Sequence, residues 1–333
     1  MTTPTEHAPP RRDTHMTPEQ SAWFAETFDA LVANVGLALL GKEKTIRLAL
    51  TAMVAEGHIL LEDAPGTGKT SLAKAISATV QGTHHRIQFT PDLLPSDVTG
   101  VTIYDQGTQR FEFHPGPVFA SVVLADEINR ASPKTQAALL EVMEEGNVTV
   151  DGVTHGVGRP FMVIATQNPI EQAGTYRLPE AQLDRFLLKT SLGYPDRASS
   201  IEILAGAKDR TASLSARITT PAVGTMADLA QTVHIEQAVL DYIARLIEGT
   251  REDGRAALGA SVRGGLALVR CSKVWAASRG REFVIPDDVK DLAQPVLAHR
   301  IILDSEAEFA GVTQAEVVAR VLETVAPPTV RVA

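Results

Sequence analysis

The 333-residue sequence has a single cysteine, Cys271, which leaves no second thiol in the chain to pair with and suits a reducing compartment. It has no apolar run near the roughly 20 residues of a membrane-spanning helix. Its first residues also lack the apolar core of a signal peptide, and together these absences point to the cytoplasm. Basic charge is not in excess. The formal net charge of −9 argues against a protein whose main task is neutralising nucleic-acid phosphates. What is present is ordinary for a globular chain: 44% hydrophobic and 21% charged residues, over a length that accommodates two domains with cores of their own.

Residues 57–81 organise the rest. His58 to Leu61 is a short apolar run without alternation, as in a parallel strand covered on both faces. From Lys69 onward, Leu72, Ala73, Ile76 and Val80 recur at helical spacing. Between strand and helix lies Asp63-Ala64-Pro65-Gly66-Thr67-Gly68-Lys69-Thr70-Ser71, whose two glycines let successive N–H groups turn toward an anion at the helix N-terminus. Lys69 would then reach terminal phosphates, and the Thr70 hydroxyl would ligate Mg²⁺. The pattern G-x-x-x-x-G-K-[ST] wants glycine where this chain has Asp63. Asp is expected to serve because it tolerates a positive φ. By itself the segment also fits a Pro-Gly turn before an ordinary helix.

Residues 1–16 are rich in Thr, Pro and charge and read as a disordered lead-in; a first helix opens at Thr17-Pro18-Glu19-Gln20. Gly41, in the turn before a second helix, is a candidate for the border of a base pocket. Strands are expected at 85–90, 121–125 and 161–165, with hairpins at 101–119 and 147–156, the latter around Asp151-Gly152. The strand at 121–125 delivers Asp126 and Glu127 at its carboxyl end, the edge where open parallel sheets hold ligands. There Asp126 would hold Mg²⁺ through its water shell and Glu127 would activate the attacking water. Adjacent carboxylates repel each other, so the pair calls for a cation between loop and strand; an acidic turn capping the next helix is the alternative. Asn168 ends the following strand, where an amide can bond both water and γ-phosphate or merely form an Asn-Pro turn. Arg185 follows a short helix and could enter a neighbouring subunit's site, or form a surface ion pair.

After Pro195 strand signals fade. Residues 207–224 read as a linker, and helices are expected at 226–231, 235–250, 261–278 and 286–300. Arg263 lies in the first turn of the third, where a cation opposes the helix dipole and predicts a compensating anion, an ATP phosphate. Gly264 and Gly265 beside it imply a close approach.

These residues together resemble the MoxR-type AAA+ ATPases. The resemblance rests on the phosphate loop, Val122 to Arg130, Ala165-Thr166-Gln167-Asn168-Pro169 and Leu183-Asp184-Arg185-Phe186. Phe89 to Asp97 and Pro115-Gly116-Pro117-Val118-Phe119 add to it. It spans roughly residues 20–325. It implies an α/β fold: an αβα P-loop core (17–206) with a parallel five-stranded sheet, and a smaller all-helical lid (225–333). It implies ATP and Mg²⁺ as ligands, with Lys69 and Thr70 as Walker A, and Asp126 and Glu127 as Walker B. By the same resemblance Asn168 is sensor one, Arg185 the arginine finger and Arg263 sensor two. The hairpins correspond to the helix-two and pre-sensor-one inserts. A hexameric ring is implied, acting as a chaperone-like motor with a von Willebrand factor A domain protein on a protein client, in complex assembly or metal-cofactor insertion. A nucleic-acid motor would need cationic hairpins, and residues 147–157 contain neither Lys nor Arg. A nucleotide-gated scaffold with little turnover is the other alternative.

Overall fold

The computed structural model describes residues 15–168, 176, 178–206 and 214–328. The segment read as a disordered lead-in lies outside them up to residue 14, as do residues 207–213 of the expected linker. The chain begins with α1 (Pro18–Gly36), where Thr17 and Gln20 cap each other reciprocally and Pro18 takes the first turn, as the sequence pattern requires. There follow α2 (Glu43–Val54), β1 (Ile59–Glu62), α3 (Lys69–Thr79), β2 (His84–Gln88), α4 (Pro95–Thr99) and the hairpin β3 (Gly100–Asp105) and β4 (Arg110–Pro115). Next come β5 (Val122–Asp126), α5 (Pro133–Glu145) and the hairpin β6 (Asn147–Val150) and β7 (Val153–Gly156). Asp151 and Gly152 at that turn both have positive φ, +51° and +79°, as a two-residue hairpin turn with matching twist demands. β8 (Met162–Gln167), α6 (Glu180–Leu183) and β9 (Leu188–Thr190) complete the sheet unit.

Five parallel strands lie in the order β2-β5-β8-β1-β9. Their apolar runs lack alternation because both faces are covered. Ile59, Leu61, Val122, Leu124, Met162 and Ile164 face α1, α2 and α3, whereas Leu60, Val123, Ala125, Val163 and Ala165 face Leu139, Leu140 and Met143 of α5. Register sets where the chain leaves each strand. Glu62 is level with Gln167 and Ala125 with Ala165, so Asp63, Asp126 and Asn168 all leave the sheet at one edge.

The second unit comprises α7 (Arg197–Ala205), α8 (Thr220–Gln231), α9 (Gln237–Glu252), β10 (Ala256–Leu258), α10 (Val262–Ala277), α11 (Pro286–Leu297), β11 (Ile302–Leu303), α12 (Ser305–Phe309) and α13 (Gln314–Thr324). It is helical apart from the short β10–β11 ribbon. α8 starts at Thr220, inside the stretch read as linker: Thr219 caps it, and Val223, Met226, Ala227 and Ala230 are buried. Leu268, Trp275, Val289, Val296 and Val317 join the same apolar cluster as α1 and α2, so the helical unit and one face of the sheet share a core. Burial contributes about 1.5–3 kcal/mol per large apolar side chain, which makes that seam a main source of stability.

Candidate nucleotide site

The phosphate loop is built as its glycines dictate. Gly66 and Gly68 have φ of +82° and +99°, the conformation that turns successive N–H groups toward one centre, and Gly68 caps α3 so that Lys69 is its first residue. Lys69 Nζ curls back and donates to the carbonyls of Asp63 (3.1 Å) and Ala64 (3.4 Å). Thr67 is buried, its hydroxyl donating to Ala64 O, while Pro65 is exposed and Thr70 and Ser71 are half-buried in the first turn of α3. Asp63 is not there for a positive φ. Among the described residues the left-handed non-glycine positions are Glu56, Gln81, Gln109, Glu127 and Asp151. Asp63 is instead buried, and its carboxylate accepts the N–H groups of Leu192 (2.7 Å) and Gly193 (2.8 Å), a tie glycine could not make. Gly41 lies against the start of α7, where a Cβ on it would be 2.8 Å from Ser199 Oγ; Leu39, two residues earlier, comes within 3.9 Å of where a Cβ on Gly68 would be. Lys42 donates to Tyr194 O at 2.6 Å.

Asp126 and Glu127 stand two strands from the loop, about 10 Å at the usual strand spacing. Their mutual repulsion is met within the chain, whereas the sequence pointed mainly to a metal for that role. Arg86 pairs with Asp126 Oδ2 at 2.7 Å, and Arg130 pairs with Glu127 Oε2 at 2.9 Å. Thr166 locks the two together, donating its hydroxyl to Asp126 Oδ1 (2.7 Å) and accepting Glu127 N–H (2.9 Å). Glu127 sits at φ +56°, and Gln88 donates to its carboxylate at 3.0 Å. Asn168 is buried and level with Asp63. Arg86 and Gln88 were missed by the motif reading, and Arg130 and Thr166 lay inside its motifs without a role. The signal for the first two was a polar edge strand, with Arg86 and Gln88 two apart on one face beside the acidic strand. Among the described residues no group of three or more His, Cys, Asp or Glu could hold a metal ion. Hydrated Mg²⁺ needs fewer protein ligands, since it keeps waters and binds phosphates, so Thr70 and Asp126 fit it.

Arg185 and Arg263 are elsewhere. Both pair with Glu144 at the end of α5, Arg185 at 3.0 Å and Arg263 at 2.8 Å. The anion expected beside Arg263 is therefore a carboxylate of this chain, with Asp184 a further neighbour at 3.9 Å, and not a phosphate of its own loop. His58 shows which edge this is. It precedes β1, its Nδ1 accepts Val163 N–H (3.0 Å), and its protonated Nε2 donates to Met143 O (3.0 Å), next to Glu144. Burial pushes the His58 pKa down to about 4, so the ring stays neutral. Glu144 and its arginines thus lie at the amino edge of the sheet, separated from the loop by at least the length of β1, roughly 13 Å. The glycine pair also has its explanation: a Cβ on Gly264 would meet Arg300 Cδ at 2.9 Å, whereas Gly265 has ordinary room beside Ile247.

A parallel sheet whose strand β1 feeds Gly66-Thr67-Gly68-Lys69-Thr70 into a helix, with an acid pair at the end of a strand two places away and a helical lid, is the fold of a P-loop nucleoside triphosphatase. Residues 58–188 match the ATPase family associated with various cellular activities (AAA), and residues 248–321 match the AAA lid domain. The chain is 39% identical to Chaperone MoxR1 of Mycobacterium tuberculosis over 91% of its length and 83% of that protein. It is 33% identical to Protein MoxR of Paracoccus denitrificans (86% and 92% of the two chains) and 44% identical to YeaC of Bacillus subtilis (90% and 94%). A solved structure from Cytophaga hutchinsonii superposes with a TM-score of 0.87 at 37% identity, covering 93% of this chain and 98% of that one. The chain belongs to the MoxR-type AAA+ ATPases. No helix among the described residues is long and apolar enough to cross a membrane.

Proposed function

We propose that the protein hydrolyses ATP in the presence of Mg²⁺ as a ring, hexameric by family resemblance, and uses the cycle to remodel protein clients in the cytoplasm. The observation that carries this is the register that brings Asp63, Asp126 and Asn168 out of the sheet at one edge, the edge of the phosphate loop. Residues Ala64 to Ser71 cradle the phosphates, and Lys69 exchanges its two loop carbonyls for phosphate oxygens. Gly41 lies at the border of the base. Thr70 and Asp126 hold hydrated Mg²⁺, which neutralises phosphate charge. Glu127 orients water and takes its proton, while Asn168 bonds water and γ-phosphate together. Arg185 and Arg263 act on a neighbour's nucleotide, because the opposite edge of their own sheet separates them from their own loop.

A protein client is favoured over nucleic acid by the β3–β4 hairpin. Its Tyr104 and Phe111 rings touch edge-to-face at 5.2 Å and are exposed, Phe111 by 75%, in place of a row of cations. By resemblance the partner is a von Willebrand factor A domain protein, and complex assembly or metal-cofactor insertion is the task. Glu127→Gln tests the core of the reading. It should cut steady-state phosphate release about 10²–10⁴-fold while ATP still binds; undiminished hydrolysis would refute the role of Glu127.

A further inference from the structure

Glu144 is one carboxylate facing two guanidiniums. Its Oε2 takes Nη2 of Arg185 from the sheet unit, and its Oε1 takes Nη2 of Arg263 from the lid. We infer that Glu144 is a positioning residue, setting Arg185 and Arg263 as a single two-pronged fork for the phosphates of a neighbouring chain. The inference rests on the trans reading of these arginines given above.

The mounting around Glu144 is what separates this from a casual surface pair. Arg300 is buried, and it plugs the loop that carries Arg185: Nε donates to Asp184 Oδ1 (2.7 Å), and Nη2 donates to the carbonyls of Phe186 (2.7 Å) and Asp184 (3.2 Å). Ser261, the cap of α10, donates to the other oxygen of Asp184 at 3.3 Å, which ties the first turn bearing Arg263 to the same loop. Both arginine backbones are thereby held to one frame. Gly264 lets that turn approach Arg300 closely.

The charge count then isolates Glu144. Asp184 is engaged by Arg300 at 2.7 Å and reaches Arg263 only at 3.9 Å, so Glu144 is the close counter-charge of both Arg185 and Arg263, and the cluster of three arginines and two carboxylates stays net positive. Arg263 donates one N–H to Glu144 and Arg185 pairs with it at 3.0 Å, so each guanidinium keeps further donors, in a planar fork suited to phosphate oxygens. Both side chains remain within reach of a partner, Arg185 at 30% exposure and Arg263 at 51%. Remove the carboxylate and two like charges repel, spreading the fork.

The test is Glu144→Ala with ATP and Mg²⁺ at ring-forming protein concentration. Misplaced catalytic groups lose rate steeply, so kcat should fall about tenfold or more, with the KM for ATP changed less than about twofold. Glu144→Asp should recover part of the loss. Glu144→Ala combined with Arg263→Ala should be no slower than the slower single variant, because the two act as one unit. If Glu144→Ala melts early, Glu144→Gln, which keeps the shape and loses the charge, carries the same readings. Wild-type kcat in Glu144→Ala and Glu144→Gln alongside an inactive Arg185→Ala would overturn the inference and leave the trans reading intact. Costs that multiply in the double variant would overturn it too. If Arg185→Ala hydrolyses ATP normally, the trans reading itself fails, a separate outcome.

Discussion

The two edges of the sheet are built by different means. At the carboxyl edge, strand register and two left-handed glycines place the loop, the acid pair and Asn168 through the backbone, and the side chains need only short reaches. At the amino edge, Glu144, Asp184, Arg185, Arg263 and Arg300 are placed by ion pairs between sheet unit and lid. On the proposed reading the first edge binds and cleaves ATP, and the second presents cations to a neighbouring chain's phosphates. In this account each chain carries half of two sites, and the lid serves the neighbour's site more than its own.

Breaking the second edge alone should have the largest effect. Arg185→Ala should lower phosphate release about 10³-fold or more at ring-forming concentrations, the scale of losing an arginine finger. Wild-type turnover per chain should in turn rise steeply with protein concentration.

The seam between the edges is sensitive to acid. His58 has a folded pKa of about 4 against about 6.5 unfolded, so the folded state binds fewer protons between those values. Stability is full above pH 6.5 and falls as pH drops toward 4, by on the order of 3 kcal/mol from this ring. Burial lowers His299 and His84 in the same direction. Denaturant melts from pH 7.5 to 4.5 should show the decline, and His58→Gln should flatten part of it.

Smallest, and opposite to what the loop pattern suggests, is Asp63→Gly. Restoring the usual glycine strands the N–H groups of buried Leu192 and half-buried Gly193 and should cost about 2 kcal/mol in a urea melt, with weaker ATP binding. A stabilised variant would mean the tie is not needed.

The first edge was legible in the sequence because its parts are local: a loop, two strand ends and their order in the chain. Asp63 was given the wrong reason, a positive φ, since its partners lie 129 and 130 residues away and no spacing reveals them. Arg263 was expected at its own phosphate because the helix dipole requires an anion but does not say which, and Glu144, 119 residues distant, supplies it. α13 was not expected: Val317, Val318 and Val321 form its buried stripe, and β-branched residues are poor helix formers until packing overrides propensity. The second half of α8 was expected, at 226–231, but its first turns from Thr220 were hidden by Ala, Gly, Thr and Pro, which read as linker until their small side chains find a surface.

The division between edges is tested most directly by mixing two inactive chains, Glu127→Gln and Arg185→Ala, and letting them assemble together. A site needs Glu127 from one chain and Arg185 from the next. An equal mixture should therefore regain hydrolysis, to about a quarter of the wild-type rate if subunits exchange freely in a head-to-tail ring. A mixture that forms rings yet stays as inactive as either variant would contradict the account.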